Sequence, residues 1–182
     1  MEKRMYFLVP YNISPIQQAI QAAHAQNEYT LKHWKEKEFQ DWAKKWKTLI
    51  ILNGGTTNDG HMGAHSTTEL GTLNQHLITL QDNKINVASF NEIDLNNALS
   101  AIAFICDERV FDREKYPNFK EFVYLKHKSQ DKDSQFQSIV LRAFMDKSLL
   151  ETFPKEYAQW VKTMGGEKNV FLREFISQFR LA

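Results

Sequence analysis

Met5-Tyr6-Phe7-Leu8-Val9 followed by Ser14-Pro15-Ile16-Gln17-Gln18-Ala19-Ile20-Gln21-Ala22-Ala23-His24-Ala25 is the stretch whose reading decides the fold. The first run is apolar and short, as a strand buried on both faces should be. The second opens with a helix start signal: Ser14 can cap, and Pro15 suits the first helical position, where its missing N–H costs nothing. Ile16, Ala19, Ile20, Ala23 and Leu31 recur at helical spacing and are expected to face a core. Gln17, Gln21, His24 and Glu28 stack along a second, polar stripe of the same helix. A buried strand thus feeds a helix that presents two glutamines and a histidine.

Downstream the pattern repeats. Lys35 to Lys47 reads as a second helix with Phe39, Trp42 and Trp46 on one face. Thr48-Leu49-Ile50-Ile51-Leu52 is a β-branched apolar run ending at Asn53-Gly54-Gly55, hence a second buried strand. Strand, helix and strand in that order imply a parallel pair joined by a right-handed crossover. A further helix, capped by Ser66 or Thr67 and running to about Gln81, would bury Leu70, Leu73, Leu77 and Leu80. Strands near Val87–Phe90 and Ala101–Cys106, linked by a polar connection, suit an antiparallel pairing. The expected core is α/β: a four-stranded mixed sheet flanked by helices over residues 5–112. From residue 113 to 182 the chain reads as a helical extension packed on it, with helices around Phe136–Leu150, Lys155–Met164 and Val170–Phe179.

Composition excludes more than it selects. The 182 residues carry 23 Lys+Arg against 22 Asp+Glu, a formal net charge of +1, so the whole chain has no basic or acidic bias that would name a partner. Cys106 is the one cysteine, which rules out an intramolecular disulfide framework and suits a reducing compartment. Met1-Glu2-Lys3-Arg4 leads into too short an apolar run for a signal peptide, and no segment is apolar enough to span a membrane; the expectation is a soluble cytoplasmic protein.

Three further motifs carry residues with possible chemistry. His61-Met62-Gly63-Ala64-His65 has the spacing of a helical metal pair, but Gly60 and Gly63 oppose a helix there and the zincin glutamate is missing. It reads as a solvated loop, and no metal or cofactor is expected. Asn53-Gly54-Gly55-Thr56-Thr57 could offer N–H groups to a phosphate, yet it lacks the lysine and spacing of a P-loop and reads as ordinary strand-to-loop punctuation. Lys35, Lys37, Lys44, Lys45 and Lys47 interleave with Trp34, Trp42 and Trp46, a composition that could bind RNA; a tryptophan core face with a solvated lysine face explains it more simply.

The order strand, Gln-x-x-His-Ala helix, strand, helix, strand pair resembles the type 2 peptidyl-tRNA hydrolase family. Gln21, His24 and Ala25 match its motif, and the likeness covers about the first 112 residues. The resemblance implies a small α/β domain that releases peptides from tRNA. Where the family has a lysine seven residues ahead of the histidine, this chain has Gln17. Ser100 takes the place of the threonine that starts the family's final strand, and Glu92 and Asp94 stand in place of its Asp-Ala-Gly segment. Carried over on that basis, Glu92 or Asp94 would orient or activate a water, His24 would assist proton transfer, and Ser100 with Gln21 would position the ester. Gln17, Lys44 and Lys45 would contact substrate, with Lys126 to Lys132 as a second basic surface for tRNA. The alternative is a family member without turnover that binds RNA, a nucleotide or a protein, using the C-terminal helices as the partner surface.

Overall fold

The computed structural model describes residues 1–58, 69–128 and 149–182. The His61–His65 motif, the Ser66 and Thr67 caps, most of the helix expected around Phe136–Leu150, and residues 129–132 of the expected second basic surface lie outside them. The described chain forms two compact units: Met1–Glu108 with Phe171–Ala182, and Arg109–Val170.

The first unit is built on a four-stranded mixed sheet in the order β2-β1-β4-β3, comprising β1 Lys3–Pro10, β2 Thr48–Gly55, β3 Val87–Glu92 and β4 Ala98–Asp107. β1 pairs parallel to β2 (Arg4↔Thr48 through Leu8↔Leu52) and antiparallel to β4 (Lys3↔Asp107 through Leu8↔Ile102), and β3 pairs antiparallel to β4. The mixed sheet expected from the apolar runs is therefore present, with β1 and β4 in the centre where their uninterrupted apolar sequences can be buried on both faces. Two of the three pairings, β1–β2 and β3–β4, slip by one residue near one end of the sheet: Val9↔Asn53 is followed by Pro10↔Gly55, and Phe90↔Ala101 by Asn91↔Leu99. Gly54 and Ser100 are the extra residues. At Gly54 a Cβ would fall 2.6 Å from Leu73 Cδ1 and 2.9 Å from Leu8 Cβ, so this bulge admits only glycine without repacking.

Helix α1, Pro15–His33, packs on one face of the sheet, with Ala22, Ala25 and Tyr29 against Met5, Phe7, Val9, Ala101, Ala103 and Ile105. This corrects the expected orientation. Ile16 and Leu31 are 75% and 73% exposed, Ile20 and Ala23 also face outward, and the inward residues include Gln18 and Gln21. Small side chains explain the choice: Ala22 and Ala25 let the helix axis approach the sheet, and the buried amides find partners, Gln18 Nε2 donating to Pro10 O at 3.1 Å. The second helix is also shorter than expected. α2, Lys37–Asp41, passes into a π-helical turn, Trp42–Trp46, and the chain reverses at Lys47 with φ 55°. Phe39 and Trp42 join the core, whereas Trp46 is exposed.

On the opposite face α3, Thr72–Asp82, buries Leu73 and Leu80, while Leu70 precedes the helix and is exposed. The expected boundary between an α/β domain at 5–112 and a helical extension at 113–182 is corrected here as well, because the last residues belong to the sheet unit. Phe175 meets Phe104 edge-on at 6.1 Å. Arg180–Ala182 then lies antiparallel along β2: Asn53 N donates to Arg180 O at 2.9 Å and Ala182 N to Ile51 O at 3.1 Å.

The second unit is helical: α4 Glu108–Phe111 leads into it, α5 Phe119–Lys128, α6 Leu149–Thr152 and α7 Pro154–Met164 follow, and α8 Glu167–Ser177 leads back out. Val123 and Phe153 form its buried centre with Phe119 and Leu149 beside them. Lys126, expected to be an exposed phosphate contact, is half-buried, 3.6 Å from Glu156 and donating to Gln159 Oε1 at 2.7 Å.

Candidate active site

The bulge in β4 builds the site. Regular alternation would point Ser100 and Ala101 to opposite faces of the sheet. Because Ser100 is the extra residue, both reach the α1 side: Ala101 joins the α1 core and Ser100 Oγ donates to Gln21 Oε1 at 2.6 Å. Gln21 Nε2 in turn donates to Glu92 Oε2 at 2.6 Å. A directed chain thus runs from a serine hydroxyl through an amide to a carboxylate, drawing together β4, α1 and the end of β3. Ser100 Oγ also lies 3.2 Å from Phe90 O, and Glu92 Oε1 accepts from Asp94 N at 3.4 Å, capping the 3₁₀ turn Ile93–Leu95.

The Gln21 amide holds the Glu92 carboxyl below its ordinary value of 4.5, the Asp94 N–H and the charge of nearby His24 acting in the same direction and desolvation opposing them. Glu92 is therefore an anion at neutral pH. His24, one turn after Gln21, is exposed and stacks on Phe90 with ring centroids 4.4 Å apart and planes 19° from parallel. Its imidazole is thereby steadied beside the end of β3.

Gln21, His24, Glu92 and Ser100 are thus brought together at the end of the sheet where β1 finishes. Ser100 is fully buried, so it positions Gln21 and has no surface of its own for an ester. Asp94 is exposed and enters the network through its backbone alone. Gln17 has a structural role: its side chain accepts from Ser14 N at 2.9 Å while Ser14 Oγ accepts from Gln17 N at 3.3 Å, a complete capping box.

Lys44 and Lys45 lie away from this group. They precede the start of β2, which sits beside Arg4, whereas the site lies beyond Leu8↔Ile102 at the other end of β1. An eight-residue strand at about 3.3 Å per residue separates the two ends by roughly 23 Å. Lys45 there is 3.8 Å from Asp41, and Lys44 reaches Gln40 at 3.5 Å. The glycine loop likewise offers less than its sequence suggests, since Gly55 N is taken by Asn53 Oδ1 at 2.9 Å and Thr56 N by Thr72 Oγ1 at 2.9 Å.

Among the described residues no group of His, Cys, Asp and Glu is placed to hold a metal ion, and no helix is long and apolar enough to cross a membrane. Cys106 is buried, with its thiol pushed up by desolvation. A scan against protein-family models gives no match, and neither does a search of curated proteins.

Proposed function

We propose that this protein hydrolyses the ester joining a peptide or amino acid to tRNA, as the type 2 peptidyl-tRNA hydrolases it resembles do. The observation that carries the proposal is the Ser100–Gln21–Glu92 hydrogen-bond chain with His24 beside it. In this reading Glu92, an anion and a weak base, fixes a water by charge and geometry. His24 takes the water's proton as the oxygen attacks the ester carbonyl. The carbonyl–oxygen bond to the ribose then breaks, and the same proton passes to the leaving hydroxyl, giving the free acid and intact tRNA. The Gln21 amide has two N–H groups, one committed to Glu92, leaving the other for the ester carbonyl.

Lys44 and Lys45, at the far end of the sheet, could meet only a polyanion long enough to span it, which tRNA is. Such a substrate implies a soluble protein of the cytoplasm. The test is single-turnover cleavage of an N-acylated aminoacyl-tRNA, followed as release of the acid. Glu92→Gln is expected to slow release by about 10²–10⁴-fold, because the water that His24 deprotonates is then no longer held and oriented by a charge.

One observation favours the alternative of a non-catalytic RNA-, nucleotide- or protein-binding member. Gln17 is neutral and engaged as a helix cap, so the position of the family's lysine carries no cation. On that reading wild-type protein releases nothing while still binding tRNA, or meets a protein through its C-terminal helices.

A further inference from the structure

The C-terminal segment creates a pocket that the ester site does not use. An open cleft of about 320 Å³ lies where β2 ends, lined by Asn53, Gly55, His76, Gln178, Phe179 and Arg180, with the Gln178 and Arg180 side chains exposed to solvent. Main-chain bonds from Asn53 to Arg180 and from Ala182 to Ile51 fix the tail that carries Arg180 along β2. Among the described residues the Arg180 guanidinium has no carboxylate or hydrogen-bond partner, nor has either ring nitrogen of His76 or the side-chain amide of Gln178. His76 is held only by ring contacts, edge-on to Phe179 at 4.8 Å and to Phe175 at 5.6 Å.

We propose that this pocket binds a small phosphomonoester bearing a flat ring, a ligand of mononucleotide size. An exposed guanidinium at the wall of the cleft, not committed to a carboxylate among the described residues, offers its fork of N–H groups to one planar or tetrahedral anion. The volume exceeds what inorganic phosphate fills and falls at the small end of organic-ligand sites. Phe179 offers a ring surface for stacking, and the Gln178 amide offers a donor and an acceptor for the ring's polar edge. Burial lowers the affinity of His76 for a proton, so it faces the ligand as a neutral imidazole and Arg180 supplies the charge. The Gly55 and Thr56 N–H groups are already engaged, which assigns the anion to the Arg180 side of the pocket and not to the glycine loop. The site sits at the carboxyl ends of parallel strands, where open α/β sheets commonly receive ligands.

The test is calorimetric titration of the full chain with AMP, GMP, CMP and UMP, with adenosine and inorganic phosphate as separate arms. At least one mononucleotide is expected to bind more tightly than either arm, with chemical-shift changes at His76 and Phe179. Arg180→Gln is expected to weaken it at least tenfold and, since that exposed side chain has no partner among the described residues, to leave the melting temperature unchanged. No binding of any mononucleotide at millimolar concentration, or affinity unchanged in Arg180→Gln, would overturn the proposal.

Discussion

Gln21 on α1 and Glu92 at the end of β3, 71 positions apart, are joined by a 2.6 Å hydrogen bond from amide to carboxylate. That bond is the main reason the Glu92 carboxyl titrates below 4.5. Since the folded state favours the anion, Glu92 contributes stability above its unfolded pKa, and the contribution is lost as pH falls through the lower, folded value. Gln21→Leu is expected to raise the Glu92 pKa toward the ordinary carboxylate value, read by NMR titration of its side-chain carbonyl. An unchanged pKa would show that the bond does not persist in solution.

The Tyr29 hydroxyl is fully buried between α1 and the sheet with no hydrogen-bond partner among the described residues, and burial pushes its pKa far up. An unsatisfied buried hydroxyl costs about 1–3 kcal/mol of desolvation. Tyr29→Phe, which keeps the ring between His33 and Phe39, is therefore expected to hold or raise the melting temperature. A loss above about 1 kcal/mol by denaturant titration would mean that the hydroxyl has a partner.

Because α1 turns its isoleucine stripe outward, Leu31→Lys is expected to change stability by less than about 0.5 kcal/mol, as exposed substitutions do. Ala25→Leu, at a fully buried contact with the sheet, is expected to cost about 1–3 kcal/mol by overpacking. The reverse ranking in denaturant titrations would restore the inward isoleucine face.

That inversion marks the limit of what the sequence discloses. The strands were legible because uninterrupted apolar runs such as Ala101–Cys106 have few alternatives to burial. The face of α1 was not, because periodicity reports that Ile16, Ile20 and Leu31 share a stripe but not that alanines permit a closer approach. Gln21, His24 and Glu92 could be nominated as site residues from the motif and the turn. The bulge that turns Ser100 toward Gln21 is a register property of two strands, and no single-strand pattern carries it. The return of Phe171–Ala182 to the sheet was hidden for a similar reason: Phe171, Phe175 and Phe179 define an apolar helix face, not the surface that receives it.

Gln17→Lys removes half of a capping box while adding the cation that the resemblance associates with this position. It is expected to cost about 0.5 kcal/mol, or a fall of about 1–2 °C in melting temperature, and to tighten tRNA binding. Thermal melts and a filter-binding titration at fixed salt check the two effects independently. Weaker tRNA binding in the variant would place the nucleic acid elsewhere.

The most direct test of the account is single-turnover release of the acyl group from an N-acylated aminoacyl-tRNA by wild type, Glu92→Gln and His24→Ala, each verified as folded by its melting temperature. The account predicts release by wild type, with both variants slowed by about 10²–10⁴-fold. No release by wild type, or release that persists undiminished in Glu92→Gln, would contradict it.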